Sequence, residues 1–291
     1  MRAFELVAAR DARHAVALLA EHGPSVRILA GGTDLLVELK DANATPGTVV
    51  DISRAEDLKP IAMTDQGLSI GALATHAEIM RSRLVRDHAP ALIDAAHTIG
   101  AVQTRNLGTL GGNLVSGVPS MDSGPALCAL EALVTLIGAG GRRQLPIGEF
   151  FLGPRQTALK AGELLAEIVI PKGNLGKPAD FQKFGLRKGQ ALALVNVAVA
   201  SWVDRDRNTF VTPRIALGAV APTIMRAPQA EAFLEGRAIT PEAMAEAGRL
   251  AAAEARPISD FRASAPYRRD LVAVLTRRAL ANACARAKER K

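Results

Sequence analysis

The sequence predicts a mixed α+β chain of more than one folding unit, on three observations. At roughly 150 residues per domain, 291 residues suggest two domains, or one domain with an appended module. A strand, a Gly-rich turn, a helix and a second strand follow one another over residues 26–52. Beyond residue 178 three strand-like segments come first and the remainder is Ala-rich and helical. With 48% hydrophobic and 22% charged residues the chain has material for a sizeable core, which excludes a disordered polymer.

Taken in order, Asp11 caps a helix whose apolar residues Ala15, Val16, Leu18 and Leu19 recur at helical spacing, and Gly23 stops it. Residues 26–30 form a short apolar strand. It ends at Gly31-Gly32, Thr33-Asp34 opens a helical segment over 35–40, and residues 48–52 make the next strand, a parallel-sheet unit. After residue 56 come a strand at 68–72, a capping box from Thr75 to Glu78, and helical character over 86–97. A Gly-rich loop at 108–113 leads into a stretch that turns apolar by residue 132. Residues 134–137 and 142–145 pair as a hairpin about the 138–141 turn. A strand at 165–170 stops at Pro171, and the loop 173–178 is the preferred domain boundary. Strand-like segments follow at 179–186, 194–203 (with alternating faces) and 214–218. Thr240-Pro241 then opens a helix, and in the last helix Leu271, Leu275, Ala279 and Ala283 share a face.

Composition narrows the function classes. The charge is 36 − 29 = +7, but only 3% of residues are aromatic, a poor footprint for nucleic-acid binding. The basic cluster at Arg268-Arg269, Arg277-Arg278, Arg286, Lys288, Arg290 and Lys291 reads as a solvated helix face or a subunit contact. Two cysteines, Cys128 and Cys284, exclude a disulfide scaffold and a cysteine-ligated cluster or zinc site held by this chain alone. Cys128 reads as a buried small hydrophobe, and Trp202 as a core or interface residue. His14, His22, His76, His88 and His97 lack metal-ligand spacing and read as surface or structural residues. Apolar runs fall short of a membrane span, and no signal peptide opens the chain, so the expected location is cytoplasmic. No catalytic nucleophile–base pair and no metal site is expected.

The two Gly-rich segments carry the chemistry. Leu29-Ala30-Gly31-Gly32-Thr33-Asp34-Leu35 places backbone N–H groups where a strand gives way to a helix, a geometry that suits anions. A plain tight turn with nothing bound explains the same residues equally well. Residues 104–113 repeat the pattern with Gly108, Gly111 and Gly112. Neither segment fits G-x-G-x-x-G or the P-loop. Two such segments suggest a ligand with an extended phosphate, such as a dinucleotide cofactor.

Residues 29–36 (LAGGTDLL) and 103–114 (QTRNLGTLGGNL) resemble the paired FAD signatures of the flavoprotein subunit in the molybdenum hydroxylase family, which includes xanthine dehydrogenases and aerobic carbon monoxide dehydrogenases. The resemblance continues through 119–132, 181–187 (FQKFGLR), 195–199, 216–222 (ALGAVAP) and 264–280, nearly the whole chain in order. It implies a two-lobed FAD-binding domain of the vanillyl-alcohol-oxidase type, with lobes at 1–55 and 56–172. A C-terminal domain at 178–291, a three-stranded antiparallel sheet with a helical bundle, would follow. It further implies that Leu29, Ala30, Gly31, Gly32, Thr33, Asp34 and Leu35 wrap the FAD diphosphate, and that Gly108, Thr109, Gly111, Gly112 and Asn113 line the second side. Asp122 would contact the adenosine end, and Lys183, with Arg187 as a weaker candidate, would lie by the flavin or its ribityl chain. For Lys183 the alternative is a stem that covers apolar surface. The stretch 114–124 (LVSGVPSMDSG) departs from the Ala-rich, doubly acidic pattern of relatives, and the cysteine-rich insert of the thioester-reducing branch is missing.

The implied function is electron transfer: clusters of [2Fe–2S] type on a small partner would feed FAD here from molybdopterin on a large partner, and the electrons would leave to NAD or another acceptor. A dimer of heterotrimers is the implied assembly. The alternatives are a stand-alone flavoreductase on the same fold and a non-catalytic assembly subunit.

Overall fold

The computed structural model describes residues 2–289; Met1, Arg290 and Lys291 lie outside the described residues. A three-stranded parallel sheet comes first, in the order Glu5–Ala8, Thr48–Asp51, Arg27–Leu29. Its first strand is absent from the sequence-based reading, because four residues with a polar start carry no period strong enough to detect. The helix Ala12–His22 covers this sheet, with the Asp11 side chain accepting the His14 N–H at 2.7 Å and Gly23 at φ +69° ending it. Ala15, Leu18, Leu19, Val50 and Ile52 form the core of this lobe, and Leu73 and Leu164 join it from the next one.

The second lobe is a five-stranded antiparallel sheet in the order Ile61–Met63, Gly67–Gly71, Leu164–Pro171, Leu133–Gly138, Gly141–Pro146. The helical stretch expected over 86–97 is two helices, Arg83–His88 and Pro90–Thr98. Ala89 breaks it at φ −144°, ψ 56°, since Pro90 forces the residue before it out of the helical region. The expected loop at 108–113 is also partly helical: Thr109 caps a short helix, Leu110–Val115, with its hydroxyl on the Gly112 N–H.

After a turn at Lys172–Asn174 the chain enters a third sheet of Ala179–Gly185, Ala193–Asp204, Thr209–Gly218 and Met225–Arg226. The first three are the expected strands, and the fourth adds only two residues. Both faces of this sheet are buried over residues 193–201 of its long central strand, where only Asn196 and Ser201 interrupt the apolar residues. Ala198, Ala200 and Ala216 face the second lobe, and Val197, Val199, Ile215 and Leu217 face the helices. Those helices are Pro228–Leu234, Pro241–Glu254 and Ala265–Glu289. Thr240 caps the second through the Ala243 N–H. Trp202 is not a core residue: it is 36% exposed on the central strand. Cys128 and Cys284 are buried, and burial pushes both thiols up to about 11.

Candidate functional site

A cleft of about 610 Å³ runs between the first two lobes. Ala30, Gly31, Gly32, Thr33, Asp34 and Leu35 form one wall, and Gly108, Thr109, Gly111, Gly112 and Asn113 another. Leu29, Asp122 and Lys183, the remaining expected site residues, do not line it.

The two Gly-rich segments touch. A Cβ on Gly31 would collide with the Leu107 carbonyl, and one on Gly111 would stand 2.6 Å from the Ala72 Cβ and 2.8 Å from its carbonyl oxygen. These glycines are required by chain packed on chain. Gly112 differs, because a Cβ there would meet only the Thr109 hydroxyl, at 2.9 Å, and would otherwise stand in open space.

Their hydrogen bonding also differs. The backbone N–H groups of Gly31, Gly32, Thr33 and Asp34 donate to no atom among the described residues. Gly32 at φ +72° turns the chain so that successive donors share a concave side, an anion nest. The Asp34 carboxylate does not cap the helix that follows and instead accepts the Ser116 hydroxyl at 2.8 Å, which ties the two walls. In the second segment the donors are already engaged: Gly108 with Thr104, Leu110 with Ala74, Gly111 with Ala72, and Gly112 with the Thr109 side chain. The expected symmetry between the two segments therefore fails. The first offers free donors, and the second uses its own to hold the lobe together.

Lys183 and Asp122 form a buried ion pair with Nζ 2.5 Å from Oδ2. Lys183 Nζ also donates to the Thr98 carbonyl at 3.1 Å, and Asn196 Nδ2 donates to Asp122 Oδ1 at 2.9 Å. The cause is strand register, since Lys183 and Asn196 are directly paired across neighbouring strands and both reach the start of the helix Ser123–Ala129. Burial pushes the Asp122 carboxyl above its ordinary range, opposed by the Lys183 charge and the bonds to it. Asp122, expected by the adenosine end, and Lys183, expected by the flavin or its ribityl chain, are thus in contact with each other. The network reaches the cleft through Ser123, whose hydroxyl donates to Asn113 Oδ1 at 2.5 Å. Arg187 lies in an exposed loop and donates to the Gln190 carbonyl.

Two wall features escaped sequence reasoning. His76, one of the histidines expected to be surface or structural residues, is 2% exposed on the cleft wall, and burial with help from Arg105 pushes its pKa down to about 4. Its only sequence signal is its place inside the Thr75–Glu78 capping box. Arg155, on the rim, donates to Glu38 at 3.1 Å. No cluster of His, Cys, Asp and Glu able to hold a metal occurs among the described residues, and no helix among them is long and apolar enough to cross a membrane.

The cleft fits a cofactor with an anionic middle: free donors and glycines on one wall, an apolar floor that includes Ala72, Leu73 and Leu165, and a volume typical of cofactor sites.

Comparison with known proteins agrees. Residues 2–173 match the family model described as the FAD binding domain in molybdopterin dehydrogenase, and residues 180–283 match the CO dehydrogenase flavoprotein C-terminal domain. The chain is 35% identical to the carbon monoxide dehydrogenase medium chain of Hydrogenophaga pseudoflava over 97% of its length and 98% of that protein's. It is 33% identical to the nicotinate dehydrogenase FAD-subunit of Eubacterium barkeri, over 84% and 83%. Its fold superposes on the solved carbon monoxide dehydrogenase of H. pseudoflava with a TM-score of 0.93 at 36% identity, and on quinoline 2-oxidoreductase of Pseudomonas putida 86 with 0.92 at 30%, each covering 98% of both chains.

Proposed function

Because the chain belongs to the FAD-binding flavoprotein family of the molybdopterin dehydrogenases, we propose that it is the electron-transfer subunit of a multi-subunit molybdenum hydroxylase. The observation that carries this reading is the Gly31–Asp34 turn, a row of free N–H groups at a cleft between two lobes. FAD, when bound, supplies a redox centre that exchanges electrons with both one- and two-electron partners.

In this reading the Gly31, Gly32, Thr33 and Asp34 N–H groups hold the diphosphate, Leu29 and Leu35 flank that turn, and Gly112 leaves room beside it. Asn113, fixed by Ser123, keeps the second wall in place. Asp122 and Lys183 act from behind the wall, where Thr98 and its cleft-lining neighbour Ile99 connect them to the site. The FAD-binding lobes are placed at 1–55 and 56–172, and the C-terminal domain at 178–291.

The catalytic centre belongs elsewhere. Names such as medium chain and FAD-subunit among the relatives support a complex with further subunits; in this reading these are a large molybdopterin subunit and a small [2Fe–2S] subunit, assembled as a dimer of heterotrimers in the cytoplasm. The burial of both cysteines in separate cores supports clusters on another chain. NAD is one terminal acceptor this arrangement serves.

Expression with the neighbouring coding sequences tests the assembly. A yellow complex containing a molybdopterin chain and an iron–sulfur chain is expected, whereas a yellow protein that stays alone and reduces a substrate by itself points to the stand-alone flavoreductase.

A further inference from the structure

We propose that His76 is a further FAD-binding residue, donating a hydrogen bond from its imidazole to the diphosphate seated on the Gly31–Asp34 turn; the inference rests on the FAD reading of the cleft. The His76 ring lies on the cleft wall; its Nδ1 is closed off with no hydrogen-bond partner among the described residues, so Nε2, the nitrogen bonded to Cδ2, is the one left to meet a ligand in the cleft. A neutral ring with its proton on Nε2 leaves only a lone pair at the closed-off Nδ1 and directs its single N–H from Nε2. Neighbouring polar groups are engaged: Thr75 and Glu78 close on each other, and the Thr109 hydroxyl takes the Gly112 N–H.

The position of the ring selects the diphosphate. A Cβ built on Gly108 would lie 3.5 Å from His76 Cδ2 and 3.6 Å from the Thr33 hydroxyl. The Thr33 N–H is among the free donors, so imidazole and anion turn face the same part of the cleft. The His76 backbone N–H donates to the Gly108 carbonyl at 3.1 Å, which roots the ring on the second wall. With its pKa pushed down to about 4, first by burial and then by Arg105, the ring is neutral at pH 7 and carries one N–H and one lone pair. A neutral donor meets a phosphate oxygen without the desolvation cost of burying a cation.

The test is FAD binding to the full chain, followed by quenching of flavin fluorescence, with riboflavin as a probe that lacks the diphosphate. A hydrogen bond to a charged group corresponds to roughly ten- to a hundredfold in affinity. His76→Leu is therefore expected to weaken FAD binding by that factor and leave riboflavin binding unchanged, and His76→Gln, which keeps a neutral N–H, to recover most of the loss. A folded His76→Leu chain that binds FAD like the parent overturns the assignment and leaves the FAD reading standing. A parent chain that binds no FAD overturns both. If neither variant folds, the imidazole nitrogen resonances of the unaltered chain decide: FAD must shift them and riboflavin must not, and resonances indifferent to FAD overturn the proposal.

Discussion

Asp122 and Lys183 meet 2.5 Å apart behind the cleft wall, with only 6% and 8% of their side-chain surfaces exposed. Asn196 and the Thr98 carbonyl take up further bonding capacity of the pair. Removing one partner strands a buried charge, at a cost of about 3–5 kcal/mol. Lys183→Met and Asp122→Asn are each expected to lower the unfolding free energy from urea titrations by that amount, and the two combined by much less than their sum. Simply additive losses would show that the two side chains do not act as a pair.

The glycines of the second segment separate packing from binding. Gly111→Ala forces a methyl group against Ala72 and is expected to destabilise the chain by roughly 1–3 kcal/mol. Gly112→Val places its side chain in the open cleft, so the thermal midpoint should stay close to the parent's while FAD retention falls at least about tenfold, the equivalent of about 1.4 kcal/mol. Flavin content and thermal melts of both variants check the contrast.

His76 makes stability depend on pH in a defined direction. Its folded pKa of about 4 lies below the ordinary 6.5, so between those values the unfolded chain binds more protons than the folded one. The neutral buried ring is therefore tolerated at pH 7, and stability drains as pH falls from 6.5 toward 4, by about 3 kcal/mol from this group alone. Urea midpoints of the flavin-free chain at pH 7 and pH 4.5 should fall less for His76→Gln than for the parent. Identical pH profiles would remove His76 as the cause.

Arg286 joins the last helix to the second lobe, with bonds to both oxygens of Asp94 and to the Ala179 carbonyl. Arg286→Gln is expected to cost about 1.5–3 kcal/mol in thermal or denaturant stability and to leave FAD affinity unchanged, because none of these groups lines the cleft.

Local signals were legible in the sequence. The caps at Asp11, Thr75 and Thr240, the hairpin about 138–141 and the three long strands of the third sheet depend on near neighbours in the chain. The strand Glu5–Ala8 was not, since it is defined by pairing with Thr48–Asp51, and neither was the break at Ala89, hidden in a continuous helical pattern. Within the site, both Gly-rich segments could be found from composition and order. That only the first has free donors depends on carbonyls of Ala72, Ala74 and Thr104 meeting the second. The Asp122–Lys183 contact arises from a strand register that no local pattern encodes. The burial of His76 is set likewise by elements distant in the chain.

Acid release of the bound nucleotide from the purified chain, with its stoichiometry, tests the central claim most directly. The account predicts FAD, close to one per chain. Release of FMN, or a colourless chain that takes up no added FAD, would contradict it.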